Sequence, residues 1–305
     1  MSIDDPDQAS LIEKANRRLQ QPAPRAPASG PAGFQPRGSQ AGAPGAGDQA
    51  AAEHNAKAVH IDVGRLRAQG YLTPDGERTR VAEEFRIIKR PLLDNAFGKS
   101  AALVEHGNLI MVTSAIPGEG KTYTAMNLAM SIAMEMDKSV LLIDADAGRP
   151  SLHELLGTPL GPGLMDLLID DSLDVGDVML RTNIPKLRVI PVGQLHAHST
   201  ELLASDSMGH LVRELETRYS DRVIIFDSPP LLATSDTVVL SGLAGQVVFV
   251  VEAGRTRQGH VKDALGLLDS TKPVGLVLNK VRKTAGSSYY GYGSYGSSYY
   301  AGKSS

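Results

Sequence analysis

Gly118, Gly120, Lys121 and Thr122 stand together in the run Ile110-Met111-Val112-Thr113-Ser114-Ala115-Ile116-Pro117-Gly118-Glu119-Gly120-Lys121-Thr122. An apolar stretch precedes them and a helical stretch follows. The two glycines let successive backbone N–H groups turn inward, and a helix N-terminus adds positive potential, so the turn suits phosphate. Lys121 would reach the β- and γ-phosphates of a nucleotide and Thr122 would ligate Mg2+, with Glu119 and Tyr123 as flanking nucleotide contacts. The run departs from the Walker A pattern at its first position, where Ala115 replaces glycine. A Gly-rich strand-to-helix turn can also be no more than a turn.

Acidic groups elsewhere favour the phosphate reading. Leu141-Leu142-Ile143-Asp144-Ala145-Asp146 puts two carboxylates just past an apolar run, and Val223-Ile224-Ile225-Phe226-Asp227 puts a third past another. In a parallel sheet such strand ends lie beside the phosphate loop. Carboxylates there can hold Mg2+ and its waters, or take a proton from an attacking hydroxyl. An Asp where a strand turns into a helix is also an ordinary cap. Three of them, each ending an apolar strand in a chain with a phosphate loop, favour function.

The elements that must position these groups read as an alternation. Strands are predicted at Leu109–Thr113, Val140–Ile143, Leu187–Pro191, Val223–Phe226, Val247–Val251 and Val274–Leu278. Most are near-continuous Val, Ile and Leu, as in strands buried on both faces of a parallel sheet. Helices are predicted at Arg80–Asn95, Lys121–Met136, Ser207–Tyr219 and Gly259–Leu268, most of them crossovers. The fold class is α/β, a doubly wound and mostly parallel sheet of the P-loop NTPase kind, with ligands at the carboxyl ends of the strands.

Four segments are expected: a short helix within residues 1–21, a Pro/Ala/Gly-rich linker over 22–58, the α/β domain over 59–283 and a tail over 284–305. The linker has almost no large apolar residues and cannot build a core. The net charge of −3 argues against nucleic acid as a partner. The absence of cysteine excludes disulfides, thiolate metal sites and cysteine nucleophiles, and fits a reducing cytoplasm. No apolar run reaches the roughly 18 to 20 residues that span a bilayer. Met1–Asp7 is acidic, unlike a signal peptide. Any membrane association is therefore expected to go through a partner.

Six of the nine tyrosines, Tyr289, Tyr290, Tyr292, Tyr295, Tyr299 and Tyr300, fall in the last 17 residues, spaced by Gly and Ser. Such a segment has no apolar period to pack, so its phenol hydroxyls are expected to be accessible. A nucleotide site and a row of possible phosphoryl acceptors thus occur in one chain.

With these residues in view, the chain resembles the bacterial tyrosine kinases of exopolysaccharide systems. It is most like the soluble autokinases encoded beside exosortase-linked polysaccharide systems. The motifs that carry the resemblance are Ser114–Thr122 (Walker A), Leu141–Pro150 (Walker A′), Val223–Pro230 (Walker B) and the tyrosine cluster. It extends roughly from Gly64 to Ser305, and the N-terminal SLIEKA run also resembles that subfamily. The resemblance implies ATP and Mg2+ as cofactors, with Asp144 as a magnesium ligand and base and Asp146 and Asp227 as further magnesium supports. It implies that Asn279 reads the adenine. It implies a ring-assembly helix with an acidic and two basic positions, here Glu83, Arg86 and Lys89, followed by Arg90. Lys89 stands where the family has Arg and lacks its bidentate fork. The implied partners are other copies in a ring, a transmembrane activator of the chain-length-regulator type and a tyrosine phosphatase. The implied location is the cytoplasm, peripheral to the inner membrane.

Two other readings remain open on the residues. A partitioning-type ATPase of the same fold would carry a lysine five residues before Lys121, where this chain has Ile116. A nucleotide-gated scaffold could use the Tyr/Gly tail for weak association. His196 and His198 alternate with no further ligand nearby in sequence. Arg255-Thr256-Arg257 forms a basic turn that could face either the nucleotide or solvent.

Overall fold

In the computed structural model, residues 57–76, 79–98, 104–158 and 161–281 are described. The N-terminal helix, nearly all of the linker and the tyrosine tail lie outside them.

Eight strands form one sheet: β1 (Lys57–Val59), β2 (Leu109–Ser114), β3 (Ser139–Asp144), β4 (Leu180–Thr182), β5 (Leu187–Ile190), β6 (Arg222–Asp227), β7 (Gln246–Glu252) and β8 (Val274–Asn279). Their spatial order is β1-β4-β5-β3-β6-β2-β7-β8. All pairings are parallel except β4 with β5. Each predicted strand is present. The sheet also reaches back to Lys57, inside the stretch read as linker.

The helices among the described residues are α1 (Val63–Ala68), α2 (Arg80–Phe97), α3 (Lys121–Ala133), α4 (Leu152–Leu156), α5 (Leu164–Ile169), α6 (Val175–Val178), α7 (Ser199–Leu202), α8 (Asp206–Arg218), α9 (Ser235–Leu243) and α10 (Gln258–Leu265). The strand alternation divides the core around β2, β3 and β6 in two. Leu109, Met111, Leu141, Ile143, Ile224 and Phe226 face one cluster with α5 and α8. Ile110, Val112, Val140, Leu142, Val223 and Ile225 face the other, with α2 and α3. Both faces are covered, which is why these strands read as unbroken apolar runs rather than alternating ones. Burial of these side chains contributes about 1.5–3 kcal/mol each.

Helix α3 carries the phosphate loop at its head, and nearly all of it is buried. Its Asn127 accepts from Leu72 N–H at 2.7 Å and donates to the Tyr123 carbonyl at 2.9 Å, so the polar side chain is satisfied inside the core. Helix α2 packs against α3 and shows one correction to the sequence reading. Lys89 does not join Glu83, Arg86 and Arg90 on an exposed assembly face. It is buried beside Phe85 and Leu92, donates to the Ser131 carbonyl at 2.5 Å and pairs with Glu135 at 2.6 Å. The period i, i+4, i+7 places Phe85, Lys89 and Leu92 on the inner face. Glu83 and Arg86 pair with each other at 2.5 Å on the outside, and Arg90 is exposed on the same side.

Replacing Lys89 by Ala strands the Ser131 carbonyl and opens a buried gap. Its unfolding free energy in urea should fall by about 1–3 kcal/mol. Arg90→Ala, at the surface, should change it by less than about 0.5 kcal/mol.

Candidate active site

The site forms where three adjacent strands end. Strands β3, β6 and β2 run side by side, and their carboxyl ends deliver Asp144, Asp227 and the phosphate loop respectively. Asp144 and Asp227 are register partners across β3 and β6, so their side chains leave the sheet on the same face.

The loop from Ala115 to Gly120 owes its shape to two residues in left-handed backbone, Gly118 (φ 88°) and Gly120 (φ 96°). Gly120 is doubly constrained. A Cβ there would lie 2.1 Å from Asn279 Nδ2, closer than any atoms pack. Ala115 has no such demand. Its methyl is fully buried among Leu231, Val247, Phe249 and Ala264, and its φ is not positive. Glycine is therefore unnecessary at the position where this chain departs from the Walker pattern.

Lys121 is almost wholly buried at the first position of α3, its Nζ 3.4 Å from Asp146 Oδ2. Asp146 also accepts from the Arg149 N–H at 3.1 Å, closing the turn after β3. The Thr122 hydroxyl lies 3.2 Å from that of Ser151, a neighbour the sequence reading did not pick out. Asp144 accepts from the N–H groups of Asp146 (3.2 Å) and Leu152 (3.3 Å). Asp227 is different. Both its carboxylate oxygens are buried without a well-formed hydrogen bond.

Burial first, and the facing Asp227 carboxylate second, push Asp144 up to about 8. Burial likewise pushes Asp227 up to about 7, while the nearby Thr122 hydroxyl and Lys121 ammonium oppose the rise. Two carboxylates this close cannot both shed their protons cheaply without a cation between or beside them. Hard oxygen donors with an orphaned buried carboxylate among them fit Mg2+. No group of three or more acidic or imidazole side chains converges on one point among the described residues. Mg2+ does not require one, because it takes one or two carboxylates together with substrate phosphates and waters.

Two of the expected nucleotide contacts read differently in the structure. The Tyr123 side chain turns away: its ring packs on Tyr71 and Phe85, and its hydroxyl donates to the Gly70 carbonyl at 3.1 Å. Only its backbone is left to face a nucleotide. Glu119 is fully buried and accepts from the Ile116 N–H at 2.7 Å. Asn279 does stand at the site, and its amide donates to the Glu119 carbonyl at 2.8 Å.

A protein-family profile described as an AAA domain matches residues 107–260, which span the loop and the three carboxylates Asp144, Asp146 and Asp227. The tyrosine-protein kinase YwqD of Bacillus subtilis (strain 168) is 36% identical over 214 residues, covering 69% of this chain and 85% of YwqD. The chain belongs to the bacterial tyrosine-protein kinase family. The putative tyrosine-protein kinase EpsB of Ralstonia nicotianae is 34% identical over 189 residues, 61% of this chain. This chain spans about a quarter of the length of EpsB, since the match covers 24% of it. Among solved structures of the family, the kinase domain of the Escherichia coli tyrosine kinase ETK superposes with a TM-score of 0.57 at 26% identity. That match covers 79% of this chain and 97% of ETK's domain.

Two outcomes test this geometry. Gly120→Ala should weaken nucleotide binding at least about tenfold, because a left-handed alanine costs about 1–2 kcal/mol and must also displace Asn279; fluorescent-ADP titration measures it. The carboxylate pair sets a pH dependence. Its folded pKa values lie above the unfolded ones, so the nucleotide-free fold binds the extra protons and loses stability as pH rises from about 4 to about 8. Thermal melts should show that fall for the wild type and a shallower one for Asp144→Asn.

Proposed function

We propose that this chain is an ATP-dependent protein tyrosine autokinase that phosphorylates the tyrosines of its own tail, between subunits. The observation that carries the reading is the juxtaposition of a built phosphate loop with the buried Asp144–Asp227 pair at adjacent strand ends. The tyrosine-rich segment after β8 supplies the acceptors.

On this reading the backbone N–H groups from Gly118 to Thr122 and the Lys121 ammonium cradle the β- and γ-phosphates. Thr122 and Asp144, with Asp146 and Asp227 directly or through water, would hold Mg2+. When bound, Mg2+ draws charge from the phosphate oxygens. The phenol oxygen of a tail tyrosine forms its bond to the γ-phosphorus as the bond to the bridging oxygen breaks and ADP departs. Asp144, ionised once positive charge offsets the facing Asp227 carboxylate, takes the phenol proton. Asn279 would contact the adenine. The domain spans residues 59–283, and the acceptors are Tyr289, Tyr290, Tyr292, Tyr295, Tyr299 and Tyr300.

Transfer occurs between copies assembled through Glu83, Arg86 and Arg90 of α2. Each phosphotyrosine adds about −1.5 to −2 charges, so six add roughly −9 to −12 to a chain whose net charge is −3. That repulsion favours release from the assembly, and a phosphatase resets it. The cycle would regulate exopolysaccharide polymerisation or export. Among the described residues no helix is long and apolar enough to cross a membrane, so a transmembrane activator of the chain-length-regulator type would hold the kinase at the inner membrane.

A mixing experiment tests transfer between subunits. A chain ending at residue 283 is combined with full-length Lys121→Met in Mg-ATP. Phosphate should appear on the Lys121→Met tail, and Lys121→Met alone should label at least about 100-fold more slowly. ATP hydrolysis without phosphotyrosine in any mixture would point to an ATPase instead.

A further inference from the structure

The ends of β7 and β8 hold the phosphate loop from outside. Asn279 Nδ2 donates to the Glu119 carbonyl at 2.8 Å, and Lys280 Nζ donates to the Gly118 carbonyl at 2.6 Å. Lys280 also pairs with Glu252 at 3.0 Å, and Glu252 pairs with Arg255 at 3.1 Å. The Glu119 carboxylate reaches into the same corner. It accepts from the Thr256 hydroxyl and from the Glu252 N–H at 3.4 Å, as well as from Ile116 within the loop.

Peptide planarity gives these contacts a direction. In a trans peptide the C=O and the following N–H point opposite ways. Fixing the Gly118 carbonyl outward therefore aims the Glu119 N–H inward, and fixing the Glu119 carbonyl outward aims the Gly120 N–H inward. On the nucleotide reading of the site, those two N–H groups would face the phosphates. The left-handed glycines allow this orientation, but glycine alone does not select it, since it adopts many others at little cost. The selection must come from outside the loop.

We infer that Asn279, Lys280 and Thr256 are positioning residues for phosphate binding: the first two fix the loop's carbonyls, and Thr256 fixes it through the Glu119 side chain. This rests on the nucleotide reading of the site and assigns Glu119 a different role from a ligand contact. Its carboxylate is turned into the protein, and it ties the loop to β7. The two carbonyl contacts come from the last residue of β8 and the one after it, so the loop is fastened to the point where the chain leaves the sheet toward its tail.

The test is a titration of the full-length protein with a fluorescent ADP analogue, paired with amide NMR of the loop and melting curves. Thr256→Val, Asn279→Ala and Lys280→Met should each weaken binding about three- to tenfold, the loss of one hydrogen bond. Thr256→Ser and Lys280→Arg should recover most of it, and the melting temperature should barely move. The Glu119 and Gly120 amide signals should shift in the variants before any nucleotide is added. In turnover, KM for ATP should rise more than kcat falls. If the wild type binds and all three variants bind equally well, the inference is overturned while the nucleotide site stands. If only Lys280→Met or only Asn279→Ala weakens binding, that residue acts on the ligand itself and the positioning account is equally overturned. A wild type that binds no nucleotide would overturn the underlying reading.

Discussion

The site is organised by a repulsion. Asp144 and Asp227 face each other across neighbouring parallel strands at almost no solvent exposure. A pair of buried carboxylates is costly in its ionised form unless something positive enters. Lys121 is directed at Asp146 and contributes only partly to Asp227. The site is thus incomplete as the polypeptide builds it. A divalent cation carried in with a nucleotide would supply the missing charge, and this is the physical reason to read the pair as functional rather than structural.

The rest of the fold serves that junction. Burial on both faces of β2, β3 and β6 fixes where these strands end, so Asp144, Asp227 and the start of the phosphate loop converge. Helix α3 is held along its length by the core and at its far end by Lys89, which joins α2 to the Ser131 carbonyl and Glu135. The head of the same helix holds the phosphate loop. The helix proposed for assembly and the helix that presents Lys121 are therefore packed as one unit. A contact between subunits at Glu83 and Arg86 would act close to the site through side chains that do not yield easily.

Much of this was legible in the sequence for a specific reason. The central strands are unbroken Val, Ile and Leu runs because both their faces are buried, and the motif residues lie at their ends. β1 and β4, with the sequences KAV and LRT, carry no such signal: three residues with a charge among them form strands only because a partner edge is present. Lys89 stands at a position of the family's assembly motif, and that resemblance alone does not show on which face of α2 it lies. The helical period with Phe85 and Leu92 would have placed it inside, with its ammonium needing the partners it has. Tyr123 follows Thr122 directly, yet successive helix positions point about 100° apart, so its ring packs on Tyr71 and Phe85 instead. The roles of Ser151, Thr256 and Lys280 depend on contacts between residues 29 to 162 positions apart, which local pattern cannot show.

The groups around Lys121 and the Asp144–Asp227 pair are proposed to transfer phosphate to tail tyrosines rather than to water. The most direct measurement is peptide mass spectrometry of the purified chain after incubation with Mg-ATP, scored alongside released inorganic phosphate. Phosphate is expected on tyrosines between Tyr289 and Tyr300, with none on the same peptides when Asp144 is replaced by Asn. Stoichiometric release of inorganic phosphate with an unmodified tail would contradict it.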